Sequence, residues 1–273
     1  MPTHDKPYTQ IDLDLVSQSR IMDVDTQSKF IDEIKRAIRY FFGEGEGSYL
    51  SDFPSMEGAN NFPFKGFILS GEPGTGKTEA VKQACSQLKS SLANEGLELR
   101  LFHVNSSDVN RAALGSNETR LKQIFSDAQP TSIGTNTIKT VILFDDIETL
   151  LVKRTDSHTT EWSRSMNGVF FHELDKMNSC KTLVVATTNV KDMVDDAVHS
   201  RLSLREVPPP SFDEMVLVAK ETLPPKKQDE LLDMVVEKLN LEVNNGSTPS
   251  FRMARKASIE ILLDTVIGWK GDD

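Results

Sequence analysis

A chain of 273 residues can build one large domain and one small appended one, but not two full domains together with a separate recognition module. Its formal net charge of −10 argues against a protein whose chief task is to neutralise nucleic-acid phosphates, because that affinity comes from clustered Lys and Arg. Two cysteines without metal-ligand spacing, Cys85 and Cys180, read as reduced structural thiols; no apolar run reaches membrane-spanning length and no signal pattern opens the chain, so the expected location is the cytoplasm.

Residues 1–20 open with a polar stretch that lacks periodicity and are expected to form a mobile leader. Between Asp23 and Phe42, the apolar residues Phe30, Ile31, Ile34, Ala37, Ile38 and Phe41 recur at three- and four-residue spacing, which predicts an amphipathic helix. The Gly-, Ser- and Asn-rich stretch from Gly43 to Phe62 reads as a loop. Short β-rich runs then alternate with helical stretches: strands are predicted at Gly66–Ser70, Leu99–Asn105, Thr140–Phe144, Thr182–Thr187 and Leu204–Val207. This alternation implies an α/β fold with a parallel sheet sandwiched between helices. Pro208-Pro209-Pro210 cannot continue a helix or a central strand and marks a boundary. Beyond it, Phe212–Leu223, Gln228–Leu239 and Phe251–Ile267 read as helices of a small C-terminal lid. The expected domains are therefore a large α/β domain over 21–210 and a lid over 211–273.

Gly71-Glu72-Pro73-Gly74-Thr75-Gly76-Lys77-Thr78 is a complete G-x-x-x-x-G-K-[ST] phosphate-binding loop, between the apolar run Phe67-Ile68-Leu69 and a helix-compatible stretch from Glu79. Glycines let backbone N–H groups turn toward an anion, and the helix that follows presents its positive end to the phosphates. Lys77 would reach the β- and γ-phosphates of ATP, and Thr78 would hold Mg²⁺. Val141-Ile142-Leu143-Phe144 ends in Asp145-Asp146, an acidic pair at the carboxyl end of a strand, where metal binding and activation of water belong. Asp145 is the metal-side carboxylate and Asp146 the candidate that activates water. Asn189 closes another apolar run through Thr187-Thr188, so that its amide emerges at the same sheet edge, placed to orient the water or sense the γ-phosphate.

The order of these motifs resembles the AAA ATPases, especially the ring-forming protein remodellers that include katanin, spastin and the pachytene checkpoint ATPases, over roughly residues 20 to 270. The segment from Gly115 to Phe125 looks like that clade's Gly-Glu-Ser-Glu segment, Phe144 to Leu150 like its Walker B strand and turn, and Thr187-Thr188-Asn189, Asp195-Asp196-Ala197 and Arg201 like its second region of homology. The resemblance implies that Asn189 is sensor 1 and that Arg201 is an arginine finger offered in trans, with Arg205 as fallback. It also implies that Asn105 restrains the catalytic carboxylate and that Arg252, in Ser250–Lys256, touches phosphate in cis as sensor 2.

Three positions depart from the family pattern. Asp146 stands where Glu is usual and is one methylene shorter, which makes slow hydrolysis, or help from Glu148, an expectation. The usual arginine pair is Ser200-Arg201. The substrate-gripping loop, normally aromatic-aliphatic-Gly, is Ala113-Leu114-Gly115, and alanine cannot wedge against an extended polypeptide as a ring does; Trp162 is the candidate substitute. The expected function is Mg²⁺-dependent ATP hydrolysis by a homo-hexamer or spiral that remodels a partner protein. The alternative is a nucleotide-dependent switch or assembly factor, of phage or mobile-element type, that regulates a nucleic-acid machine without threading.

Overall fold

The computed structural model describes residues 6–16, 25–56, 64–110, 116–129, 132–133, 136–151, 161–190 and 196–268. The chain divides into two compact units, one of Met1–Ser17, Ile31–Ser70 and Thr78–Glu206, the other of Gln18–Phe30, Gly71–Lys77 and Val207–Asp273.

The first unit is built on a seven-stranded sheet: β1 (Thr9–Ile11), β2 (Gly66–Ser70), β3 (Leu97–Asn105), β4 (Ser132–Ile133), β5 (Asn136–Asp145), β6 (Thr182–Thr188) and β7 (Leu202–Glu206). Their order is β1-β3-β5-β6-β2-β7, with β4 hairpinned antiparallel on β5. The five strands that the periodicity predicts are all present and mutually parallel, with ends displaced by four residues at most. On one face Ile68, Phe102, Val104, Ile142, Phe144, Val184 and Ala186 join Leu121, Ile124 and Phe125 of α5 (Ser116–Asp127) and Phe170 and Leu174 of α6 (Glu161–Lys176) in one buried cluster. Phe144 and Phe170 meet edge to face there, their centroids 5.4 Å apart. The alternate residues, Phe67, Leu69, Leu101, Val141, Leu143, Leu183 and Val185, are buried as well, so each central strand reads as a continuous apolar run.

The expected mobile leader is corrected over residues 6–16. β1 pairs antiparallel with β3, Thr9 opposite His103 and Ile11 opposite Leu101. Tyr8 is buried, stacks on Phe102 with centroids 4.1 Å apart, and donates its hydroxyl to Asp127 at 3.0 Å. Leu13 is buried, and its carbonyl accepts from Ser86 Oγ at 2.8 Å. A strand this short has no periodicity of its own; an open sheet edge and one aromatic stack give it its place. The expected loop after α1 (Asp25–Phe42) likewise holds a short helix, α2 (Tyr49–Asp52), capped by the Ser48 side chain.

The second unit contains α8 (Phe212–Thr222), α9 (Gln228–Asn244) and α10 (Phe251–Ile267), in agreement with the three predicted lid helices. α8 starts with a capping box: Glu214 N–H donates to Ser211 Oγ, and Ser211 N–H donates to the Glu214 carboxylate at 2.7 Å. Met215, Val218, Leu231, Val235, Leu239, Phe251 and Ala254 form its core.

Candidate functional site

The phosphate-binding loop, residues 71–77, is shaped by close backbone approaches that only glycine permits. A Cβ at Gly71 would lie 2.5 Å from the Val207 carbonyl. Gly74 and Gly76 have φ of +82 and +89, and a Cβ at Gly74 would lie 2.8 Å from the Arg252 Cβ. The loop is tied on two sides. Gln27, buried, donates its carboxamide N–H to the Thr75 carbonyl at 2.7 Å, and Phe251 N–H at the start of α10 donates to the Gly74 carbonyl at 3.0 Å. Lys77 is buried and folds its ammonium onto the loop carbonyls of Gly71, at 2.7 Å, and Glu72, at 3.0 Å. The Thr75 hydroxyl also donates to the Glu72 carbonyl, which leaves Pro73 at the turn of the loop. Arg252, the second residue of α10, is exposed with its Cβ against Gly74, so the predicted sensor 2 arginine stands beside the loop.

α3 (Lys77–Ala93) begins with the lysine, and its next residue, Thr78, belongs to the first unit. Thr78 Oγ1 donates to Asp145 Oδ1 at 2.7 Å. The same oxygen accepts from Thr187 Oγ1 at 2.5 Å, and His103 Nε2 lies 3.5 Å from Oδ2. Burial pushes the Asp145 carboxyl toward protonation, but the hydrogen bonds from His103, Thr187 and Thr78 outweigh it and bring the group down to about 2. Asp145 is therefore ionised throughout the physiological range, with all these donors aimed at its charge. The donor pair it forms with Thr78 is all oxygen, and among the described residues no group of three or more His, Cys, Asp or Glu could hold a metal ion. Such a pair fits Mg²⁺, which is bound through one or two protein oxygens plus substrate phosphates rather than by an all-protein cage.

Asp146 is the one non-glycine residue with positive φ among those described, at φ 52 and ψ 56, a left-handed conformation that Asp tolerates better than most side chains. Its N–H donates to Thr187 Oγ1 at 3.1 Å, and its Oδ1 accepts from Asn189 Nδ2 at 2.9 Å. Asn189 also donates its backbone N–H to Glu148 Oε1 at 3.1 Å, while Glu148 Oε2 is buried without a hydrogen-bond partner. Asp145, Asp146, Glu148 and Asn189, four separate candidates in the sequence, thus form one connected group.

Asn105 lies opposite Asp145 across β3 and β5, and its Oδ1 accepts from the Ser107 N–H at 3.2 Å and the Ser107 hydroxyl at 2.8 Å, an Asx turn that opens α4 (Ser106–Asn110). The β3 side chain that does reach the acidic end of β5 is His103, two residues earlier and therefore on the same strand face. The i, i+2 parity was the available signal. Thr187, which bonds both Asp145 and Asp146, was missed as well because a strand threonine looks like ordinary β propensity.

Arg201 is engaged within the chain. Its Nε and Nη2 donate to the two Asp175 oxygens at 2.7 and 2.8 Å, Nη1 donates to the Ala197 carbonyl at 3.0 Å, and the guanidinium lies 5.0 Å from the Phe171 ring centroid. The hydrogen bond from Arg201 draws the Asp175 carboxyl below its ordinary range. Arg205, on β7, is exposed. Ala113, Leu114 and Gly115 lie outside the described residues, as does Asp195; Trp162 falls within α6, but its side chain is not described. Among the described residues no helix is long and apolar enough to cross a membrane.

Vacuolar protein sorting-associated protein 4 of Dictyostelium discoideum is 30% identical over 160 residues, covering 56% of this chain and 31% of that protein. The meiotic spindle formation protein mei-1 of Caenorhabditis elegans is 29% identical over 175 residues, or 62% of this chain and 34% of its own length. The chain therefore spans about a third of the curated relatives it matches. Among solved structures, the Trip13 complex with HORMA and CdnC from E. coli MS115-1 has a chain of the same fold, with TM-score 0.62 at 13% identity over 93% of this chain and 94% of that one. C. elegans PCH-2 follows with TM-score 0.58 at 14% identity over 97% of this chain and 78% of its own. Residues 67–209, the stretch that carries the phosphate-binding loop, the acidic strand end, Asn189 and Arg201, match the ATPase family associated with various cellular activities, and the chain belongs to this AAA family of ATPases.

Proposed function

We propose that the chain is a Mg²⁺-dependent AAA ATPase that works as a ring, hexameric or spiral, and remodels or disassembles a partner protein as its nucleotide state changes. The observation that carries this reading is the connected acidic end of β5, in which Thr78 binds Asp145 and Asn189 binds Asp146. The loop N–H groups from Gly71 to Gly76 and Lys77 would hold the ATP phosphates, and Thr78 and Asp145 would hold the cation. Bound there, Mg²⁺ would supply neutralisation of the charge that spreads over the phosphoryl oxygens. Asp146, with one oxygen fixed by Asn189, would orient the attacking water and accept its proton, and Arg252 would contact phosphate in cis.

Arg201 would supply charge in trans. Its pair with Asp175 leaves the two side chains 28% and 50% exposed. To reach a neighbour's nucleotide phosphates Arg201 would exchange this bidentate partner for the phosphate oxygens, which suit the same planar fork. The protein partner is inferred from the kind of relative: the Trip13 chain of similar fold is seen in complex with HORMA and CdnC.

Steady-state ATP hydrolysis against protein concentration tests the ring. Specific activity should rise with concentration, and Lys77→Ala, Asp146→Asn and Arg201→Ala should each abolish it. Concentration-independent turnover that survives Arg201→Ala would overturn the shared site. A second reading, a nucleotide-dependent switch, is favoured by the short Asp146 side chain and by the engagement of Arg201 in cis. Tight ATP binding with negligible turnover at every concentration would select it. Stimulation by DNA with a steep salt dependence would point the switch toward nucleic acid, whereas stimulation by a polypeptide supports remodelling.

A further inference from the structure

The geometry points to His103 as a positioning residue: its imidazole fixes the outer oxygen of Asp145 so that the carboxylate faces the divalent cation in one orientation. The inference rests on the proposed reading of Asp145 as the metal-side carboxylate. β3 and β5 pair in parallel with His103 opposite Leu143 and Asn105 opposite Asp145. Asn105, directly opposite Asp145, accepts from Ser107 through its carboxamide oxygen. His103, one pleat earlier on the same face, lies with Nε2 3.5 Å from Asp145 Oδ2.

The two oxygens of Asp145 have unlike surroundings. Oδ1 receives both hydroxyls, Thr78 at 2.7 Å and Thr187 at 2.5 Å. The torsion about the bond that carries the carboxylate is intrinsically broad, and donors on both oxygens restrain it more tightly than donors on one. Against an acceptor-only carboxylate the imidazole must present an N–H, so Nε2 carries the hydrogen in this contact. Backbone pairing fixes the His103 main chain on both sides, with Thr9 of β1 on one flank and Leu143 of β5 on the other. His103 is 23% exposed and Asp145 28%, so the contact is shielded from solvent but open enough for a cation to enter. Groups that orient a metal ligand in this way commonly change metal affinity by about 10- to 100-fold when removed.

The test uses Mn²⁺ as the probe, titrated into the full chain with ADP present and read by the loss of the free-ion electron paramagnetic resonance signal. His103→Ala should weaken Mn²⁺ about tenfold. His103→Gln, which restores a side-chain N–H, should recover most of that loss, and ADP affinity measured in EDTA should change less than about twofold in either variant. In turnover assays the Mg²⁺ concentration for half-maximal rate should rise in His103→Ala more than the KM for ATP does. Unchanged Mn²⁺ affinity in His103→Ala overturns the positioning role, as does an equal loss in His103→Gln or a parallel fall in metal-free ADP binding. If the wild-type chain with ADP takes up no Mn²⁺, it is the metal assignment of Asp145 that fails, and the role of His103 with it.

Discussion

Gly74→Ala isolates the packing of the phosphate-binding loop against the first turn of α10. At φ +82 an L-residue costs about 1–2 kcal/mol from backbone strain alone. The added Cβ would also sit 2.8 Å from the Arg252 Cβ and 3.3 Å from the Ser250 Cβ, both close to the backbone and unable to swing away, a clash of the kind that costs about 1–3 kcal/mol. Gly246, at the end of α9, supplies the control: its φ is +89, but nothing lies within 4 Å of its Cβ position, so Gly246→Ala carries the strain without the clash. Equilibrium urea unfolding should place Gly74→Ala below Gly246→Ala by about 1–3 kcal/mol. Calorimetric ATP binding should weaken at least about tenfold in Gly74→Ala and stay unchanged in Gly246→Ala, since a displaced loop loses its aim on the phosphates. Equal unfolding costs, together with equal ATP affinities, would show that the loop does not rest on α10.

Thr187→Val removes the hydroxyl that donates to Asp145 and receives the Asp146 N–H, so turnover should fall at least about tenfold with ATP affinity nearly unchanged, and Thr187→Ser should restore it; wild-type turnover in the valine variant would count against the assignment. Burial, and then the hydrogen bond to Asp127, push the Tyr8 phenol up from 10.0 to about 12. Because the folded value is the higher one, this stabilisation is fully present below pH 10 and is lost as pH rises through about 12; phenolate absorbance paired with protease sensitivity of residues 6–16 should show the two changing together, and Tyr8→Phe should decouple them. Ser250→Ala deletes the side chain that accepts the Met253 N–H at 3.2 Å, and α10 should lose about 1 kcal/mol in urea unfolding.

The parallel core was legible because each central strand is a buried, near-continuous apolar run, and period and length suffice to identify such a run. The C-terminal helices were legible for a different reason: Pro208-Pro209-Pro210 cannot continue a helix or a central strand and lies within a few residues of the first of them. What escaped has no local cause. β1 exists because β3 offers it an edge, and Gln27 serves the phosphate-binding loop across a separation of 48 residues. The site shows the same division. Lys77, Thr78 and Asp145 are carried by spacing, whereas the approach of His103 to Asp145 from another strand is decided in three dimensions.

A twisted open sheet has two margins, and here they are unequal. On one side residues 9–11 occupy β3, leaving only a three-residue strand outermost; on the other, β7 is outermost, with Arg205 and Glu206 exposed near its end. Strand-by-strand accretion of molecules needs two receptive margins per copy, one to give and one to take. While Tyr8 stays stacked, Leu101–His103 in the middle of β3 are covered, which interrupts the margin another molecule's strand could take. Proteolytic loss of residues 1–16 would free that stretch and give a continuous margin along the nine-residue β3.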